Sequence, residues 1–484
     1  MRALQAVAAV VAALAVVAAI VWAARAWNDS RVPARYDATA LGPLDLGGGA
    51  PLHHHHGGPG GADGVSVAAL RERGAPDVRF TLVAGHAKVR LPSGRSVDGL
   101  AFDGRIPGPE LRVRQGDLVE VTLVNRDVRE GVSIHWHGVD VPNGEDGVSG
   151  MTQDAVRVGG RFTYRFRAED AGTYWYHSHQ RSADEVRRGL FGSLVVTPRD
   201  LPPGLDLVVA AHSFGGRLAL LPTGGRMHRR PAPGTPVRLR LLNADDHAHE
   251  FGLGGAPFRV VGIDGRELEA PAVVRAQTLA VPAGGRYDVA FTMPRSPVTL
   301  AARGTGDRIS LGRGEAAVDF SRQLDLTRYR AHAPPVPTRF DRTFRLELGR
   351  KLGFFHGGVK LGRQWSINGK IHPHMPMLMV AEGETDRIVF VNRSGSPHPM
   401  HLHGHHMLVL AHDGRPVRTP WLVDSLDVGP GERWDVAFRT DNTGIWMLHC
   451  HNLPHAARGL VTHLAYEGVH TPYRMGSASG NEPE

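Results

Sequence analysis

From about Ser66 onwards, hydrophobic and polar residues alternate in short runs separated by turn residues. Val78 to Val83, Leu118 to Val124 and Arg161 to Phe166 are clear cases. The same texture returns at Leu205 to Ala211, Val237 to Leu242, Tyr287 to Phe291, Thr343 to Leu348, Arg387 to Val391 and Trp434 to Phe438. A period of two puts alternate side chains on opposite faces of an extended strand. Gly429-Pro430-Gly431 and Asn368-Gly369 supply turns between runs. Convincing amphipathic helices are scarce. The pattern predicts an all-β chain built from consecutive β-sandwiches.

The N-terminal segment breaks this texture. Ala3 to Ala24 is apolar except for Gln5, with Arg2 before it and Arg25 after it. That length spans a bilayer as a helix. Ala24-Arg25-Ala26 also has the form of a cleavage site, although the apolar run is longer than an ordinary signal core. Residues 1–27 are therefore expected to be a transmembrane anchor in preference to a signal peptide, and either places the body outside the cytoplasm, membrane-anchored or secreted. With no twin-arginine pair, the general export route is expected. Residues 28–65, rich in Gly and Pro, are expected to be a flexible linker, and the His53–His56 tract within it a solvated run. Pro/Gly clusters near Pro198–Pro203 and His332–Pro337 divide the remainder into domains at 66–200, 201–335 and 336–470. Residues 471–484 are expected to be a frayed tail.

Composition narrows the function classes. With 42% hydrophobic and 21% charged residues, the chain is a folded protein and not a disordered one. The formal net charge is +8, but the arginines are scattered instead of forming a stripe with stacking aromatics, so no nucleic-acid partner is expected. Cys450 is the only cysteine, which rules out an internal disulfide and leaves an inert thiol or a ligand.

The chemistry concentrates in histidine. His-x-His is a weak signal, because 28 histidines among 484 residues give roughly one or two such triplets by chance. Placement carries more weight. His135-Trp136-His137 and His177-Ser178-His179 follow strand-like runs in the first sandwich, and His401-Leu402-His403 and His449-Cys450-His451 lie in the third. Each pair presents two imidazoles to one face of a strand, which suits a multinuclear metal site between two domains. Cys450 faces away from its two neighbours. With His455, past the turn at Pro454, and His398 it would form a His₂Cys set, the ligand set of blue-copper electron-transfer centres. One backbone then joins two metal sites. His372-Pro373-His374 is taken as a decoy.

From Ser66 to Leu464 the sequence resembles the three-domain multicopper oxidases, a family of laccases and bacterial metallo-oxidases. Beside the histidine motifs, the likeness rests on Phe102-Asp103-Gly104-Arg105-Ile106-Pro107-Gly108-Pro109, on Gly116-Asp117 and on Gly189-Leu190-Phe191-Gly192. It implies three cupredoxin-like Greek-key β-sandwiches and four copper ions. His398, Cys450 and His455 would hold the type 1 ion and His135 and His401 the type 2 ion. His137, His177, His179, His403, His449 and His451 would hold the type 3 pair, while His405 matches a structural position. The implied activity is one-electron oxidation of a small reducing substrate coupled to four-electron reduction of dioxygen to water. A monomer is expected.

Two departures qualify the likeness. Leu460 stands at the axial position, where many bacterial members carry methionine, and implies a high-potential type 1 site. Ala456 replaces the acid that many of those relatives carry after the last type 1 histidine. Asp146, in Gly144-Glu145-Asp146-Gly147, is the candidate proton relay. Met375, Met377 and Met379 read as core residues of a strand and not as an outer metal site. Laccase-like oxidation of phenols or aromatic amines is favoured. A metallo-oxidase acting on Cu(I) or Fe(II), and a non-catalytic copper-binding or electron-transfer protein, are the alternatives.

Overall fold

The same strand pattern occurs three times along the chain. Val78–Arg90 pairs antiparallel with Ser96–Phe102 and parallel with Leu118–Asn125, which pairs antiparallel with Arg161–Arg167. Leu205–Phe214 repeats the move with Arg217–Leu221, Pro236–Asn243 and Arg286–Thr292. Thr343–Phe354 does so with Leu361–Ile367, Thr385–Asn392 and Arg433–Arg439. A parallel neighbour that is not the next strand in sequence requires a crossover, which is the Greek-key signature. Each of these sheets stacks on a second one, so the fold is all-β with three cupredoxin-like sandwiches in series. The computed structural model describes residues 2–40, 42–50, 64–91, 94–200, 203–222, 225–355 and 358–484. The His53–His56 tract lies outside the described residues.

The alternating runs explain the cores. In Leu111–Arg114 the burial pattern alternates strictly, with Leu111 and Val113 inside. The strands carrying the histidine motifs are instead buried on both faces, because a neighbouring domain covers what would be their solvent side. Met375, Met377 and Met379 are buried in the third sandwich, as core residues.

The apolar N-terminal run forms a helix over Arg2–Asp29. Its 28 residues rise about 42 Å, enough to cross a bilayer. Its apolar side chains from Leu4 to Val21 are exposed, and only its last turns touch the body.

Two expectations are corrected. The described part of the linker is docked: Leu44–Asp45 adds a parallel edge strand to Met377–Val380, and Tyr36 and Met475 exchange backbone hydrogen bonds of 3.0 and 2.9 Å. The segment past residue 470 is docked as well. Thr471 donates its hydroxyl to the Met151 carbonyl, the Asn481 side chain accepts the Ala155 N–H, and the Glu482 carbonyl accepts the Arg181 N–H, while Val469–His470 just before pairs with Val65–Ser66. Polar, Gly-rich composition signals solvation only when no partner offers hydrogen bonds. Here the backbones of the first and third sandwiches offer them.

Candidate metal centre

The smaller site gathers around Cys450. The strands His398–Leu402 and Ile445–Cys450 are antiparallel neighbours with Met400 opposite Cys450. His455 returns on a short helical turn, Leu453–Ala456, whose His455 N–H is accepted by the Asn452 side chain. The three donor atoms converge: Cys450 Sγ lies 3.5 Å from His398 Nδ1 and 3.8 Å from His455 Nδ1, and the two nitrogens are 3.3 Å apart. The far nitrogen of His398 meets the Ser394 hydroxyl at 2.6 Å, which fixes the ring. Burial, then the neighbouring His455, holds His398 down at about 3, and burial, then Arg350 and Arg458, holds His455 at about 4. Both imidazoles thus stay neutral, with free lone pairs, throughout the neutral range. Burial pushes the Cys450 thiol well up, so the thiol proton is the one an incoming metal must displace.

The larger site lies between the first and third sandwiches. Cross-strand register sets it: His135 opposes His177 and His401 opposes His449. Their donor atoms fall into overlapping groups, among them His135 with His137 and His401, His137 with His177 and His451, and His179 with His403 and His449. The Nε2 atoms of His135 and His401 face each other at 3.3 Å, and those of His403 and His449 at 3.1 Å. Burial, then neighbouring imidazoles, holds His137, His179, His401, His403 and His451 well below the usual histidine range.

Copper, which the resemblance implies, can be tested against this arrangement. Buried nitrogens ordinarily find partners. Here His137 Nδ1, His177 Nε2 and both nitrogens of His179 and of His451 have none. The opposite edges of several rings are held, as metal-bound imidazoles require. His403 Nδ1 and His135 Nδ1 both meet Asp146, at 3.0 Å each, and His401 Nδ1 meets the Asp424 carbonyl at 2.8 Å. Neutral imidazoles with lone pairs turned inward, and one buried thiol, fit copper.

Asp146 is therefore no ordinary turn residue. It is buried, and its carboxylate lies between one imidazole from each of two domains. His405 stands outside these groups, with Nδ1 on the His403 carbonyl and Nε2 on the Tyr466 hydroxyl. His372 meets the Tyr36 hydroxyl at 3.3 Å, also apart from them.

Three contributors escaped the sequence reading. Asp424 Oδ1 lies 3.0 Å from His137 Nε2, and its carboxylate takes two hydrogen bonds from Arg286 of the second sandwich at 2.7 and 2.6 Å. Both side chains are fully buried, so loss of either would strand a charge at a cost of about 3–5 kcal/mol. Gly284, beside Arg286, has φ +77, and a Cβ there would fall 2.9 Å from the His451 ring. The second sandwich, which offers no ligand, thus closes the cluster by backbone contact and one ion pair. Glu484 is the third: its Oε1 lies 3.3 Å from His449 Nδ1, while Ser182 donates to Oε2 at 2.9 Å. Burial, opposed by the Ser182 hydroxyl, pushes this carboxyl up to about 8. Glu484 and Ala456 line one cavity of about 350 Å³, so an acid stands near the position where Ala456 supplies none. A periodic β signal could not reveal these residues; only Arg286-Tyr287-Asp288, at the start of a strand, lay near a predicted element.

Known proteins resemble this chain over most of its length. Two multicopper oxidase family profiles match residues 84–201 and 350–468. Multicopper oxidase MmcO of Mycobacterium tuberculosis is 28% identical over 84% of this chain and 91% of its own length. Laccase-1 of Botryotinia fuckeliana is 26% identical, covering 76% of this chain and 78% of its own. The crystal structure of Lac15 from a marine microbial metagenome superposes with a TM-score of 0.59 at 30% identity, over 81% of this chain and all of that one.

Proposed function

The chain belongs to the multicopper oxidase family and is a copper oxidoreductase that uses dioxygen, and on that premise we propose that its donor is a phenol or aromatic amine. In this reading His398, Cys450 and His455 would hold one copper ion, at the site nearest the donor. His135 and His401 hold a second ion, and the triplets His137, His177, His451 and His179, His403, His449 hold a pair. Copper so bound supplies one-electron transfer at the thiolate site and dioxygen reduction at the cluster. The protein's own work is to orient and shield. Asp146 accepts Nδ1–H from His135 and His403, Asp424 steadies His137 and His401, and Arg286 holds the Asp424 carboxylate in place through two hydrogen bonds. Cys450 and its neighbours His449 and His451 make the shortest covalent path between the two sites.

The observation that carries the donor class is the exposed edge of the smaller site. His455 is only partly buried, and the Trp365 ring packs on it with centroids 4.2 Å apart. The Arg350 guanidinium lies over that indole at 4.1 Å. The indole is itself buried, so the part a flat aromatic donor would meet is the open imidazole edge of His455 that this indole holds in place. In the same reading the sandwiches work outside the cytoplasm as a monomer, tethered by the N-terminal helix, whose length and apolar composition support this. Oxygen uptake by copper-loaded protein tests the donor: it is expected to be faster with a phenol than with Cu(I) or Fe(II). Uptake driven only by the metal ions would overturn the phenol reading in favour of a metallo-oxidase.

Leu460 sets the potential in this reading. Its side chain is fully buried in the same apolar cluster as Cys450, and its carbonyl accepts the Cys450 N–H at 3.0 Å. Leucine offers no lone pair, which favours the reduced ion and a high potential. Leu460→Met is expected to lower the midpoint potential in a redox titration; an unchanged midpoint would sink the axial assignment.

A further inference from the structure

The hairpin formed by Thr343–Phe354 and Leu361–Ile367 does two things at once. Near its base it carries Trp365, which packs on His398 and His455. Towards its tip it leaves three aliphatic side chains in the open, Leu352, Leu361 and Val359, the last 97% exposed. Outside the N-terminal helix few large apolar side chains are exposed among the described residues, so three on one hairpin form a patch that needs an occupant. Register places the patch. Arg350 opposes Trp365, Leu352 opposes Arg363 and Phe354 opposes Leu361, so Leu352 and Leu361 share the sheet face of Trp365. Four steps of about 3.4 Å carry the strand from Arg350 to Phe354, about 14 Å.

The opposite face of that hairpin receives the end of the apolar helix. Ser30 accepts the Phe354 N–H at 2.9 Å and donates to Ala26 at 2.6 Å, so the last helical turn and the hairpin are tied by one hydroxyl. A Cβ on Gly353 would lie 2.9 Å from that oxygen, a close approach only glycine allows. Lys351 meets Asp29 at 3.5 Å. Trp22 and Trp27 stand exposed near this helix end, and Arg31 lies over Trp27, the arrangement of an interfacial belt. Three of the chain's four lysines, Lys351, Lys360 and Lys370, are on this hairpin or the turn after it, and exposed Arg363 and Arg458 add to them.

We propose that the N-terminal helix crosses a membrane, that Leu352, Val359 and Leu361 seat on its anionic surface, and that the enzyme draws its donor from that interface as a lipid-partitioned hydroquinone. The helix end on one face and the aliphatic side chains on the other lie at the same end of this hairpin, with the basic residues on or beside it. The face that bears Leu352 and Leu361 also carries Trp365, which packs on His455. Each hydroquinone gives up two electrons and two protons to become a quinone, and two of them reduce one dioxygen to two waters. The donor class rests on the phenol reading above; the membrane seat does not.

The full copper-loaded chain in liposomes of phosphatidylcholine with phosphatidylglycerol separates the two. Because the natural cysteine is buried, Val359→Cys can be labelled alone with a fluorophore. Lipids carrying nitroxides near the headgroup should quench it strongly, and should leave a label at Val158→Cys, exposed on the first sandwich, unquenched. Equal quenching at both sites overturns the seat. For the donor, kcat/KM is compared for a long-alkyl hydroquinone in the liposomes and for unsubstituted hydroquinone in water. In the triple variant Leu352→Asp, Val359→Asp, Leu361→Asp the ratio of the two should fall by about tenfold, the scale of losing one buried aliphatic side chain. An unchanged ratio overturns the interfacial donor. If neither hydroquinone is oxidised while the quenching holds, it is the phenol reading that has failed.

Discussion

Replacing Cys450 by serine is expected to bring donor-driven oxygen uptake down to the level of the copper-free chain while leaving the histidine cluster loaded. Serine is nearly isosteric, and the backbone hydrogen bond from residue 450 to the Leu460 carbonyl does not involve the side chain. His449 and His451 should therefore keep their positions on the strand Ile445–Cys450. What is lost is the soft ligand. A hydroxyl ionises far less readily than a thiol and binds copper weakly beside two imidazoles. Metal analysis should show a deficit of about one ion per chain, with loss of the visible absorption a thiolate–copper bond produces. Full uptake in the serine variant would mean that electrons enter the cluster by another route, and the covalent path through residue 450 would be wrong.

Much of this centre was legible in the sequence, and the reason is geometric. On a strand, side-chain direction follows from counting by two, so His-x-His predicts two imidazoles on one face and His449-Cys450-His451 predicts a division between two faces. Both are local properties. The residues that steady the ligands are not local in this sense. Arg286 acts from the second sandwich across 138 residues of sequence, and Glu484 acts from a segment whose composition reads as solvated. The docked linker failed to announce itself for the same reason, since Leu44–Asp45 pairs through backbone atoms that every residue shares. Periodicity reports which side a residue faces. It carries no information about which distant backbone completes a sheet or which distant charge completes a pair.

Asp146 lies at the meeting point of these two kinds of evidence. It was a relay candidate from its place after the first histidine motif; the structure adds that both its oxygens are already engaged by His135 and His403. A carboxylate accepting two imidazole N–H groups fixes two tautomers, and its removal should weaken copper retention by about 10–100-fold. Asp146→Ala is therefore expected to lower both copper content and turnover. Asp146→Asn separates the roles. The amide oxygen can still accept one N–H, so metal analysis should find copper close to the parent level. Yet an amide takes up no proton, and general acid–base work at this position contributes about 10²–10⁴ in rate. Turnover of the copper-replete asparagine variant should fall on that scale. Were it to turn over like the parent across the pH range, Asp146 would be an orienting residue alone. Protons would then have to reach the cluster by another path, for which Glu484, in the Ala456 cavity and within 3.3 Å of His449, is the acid in place.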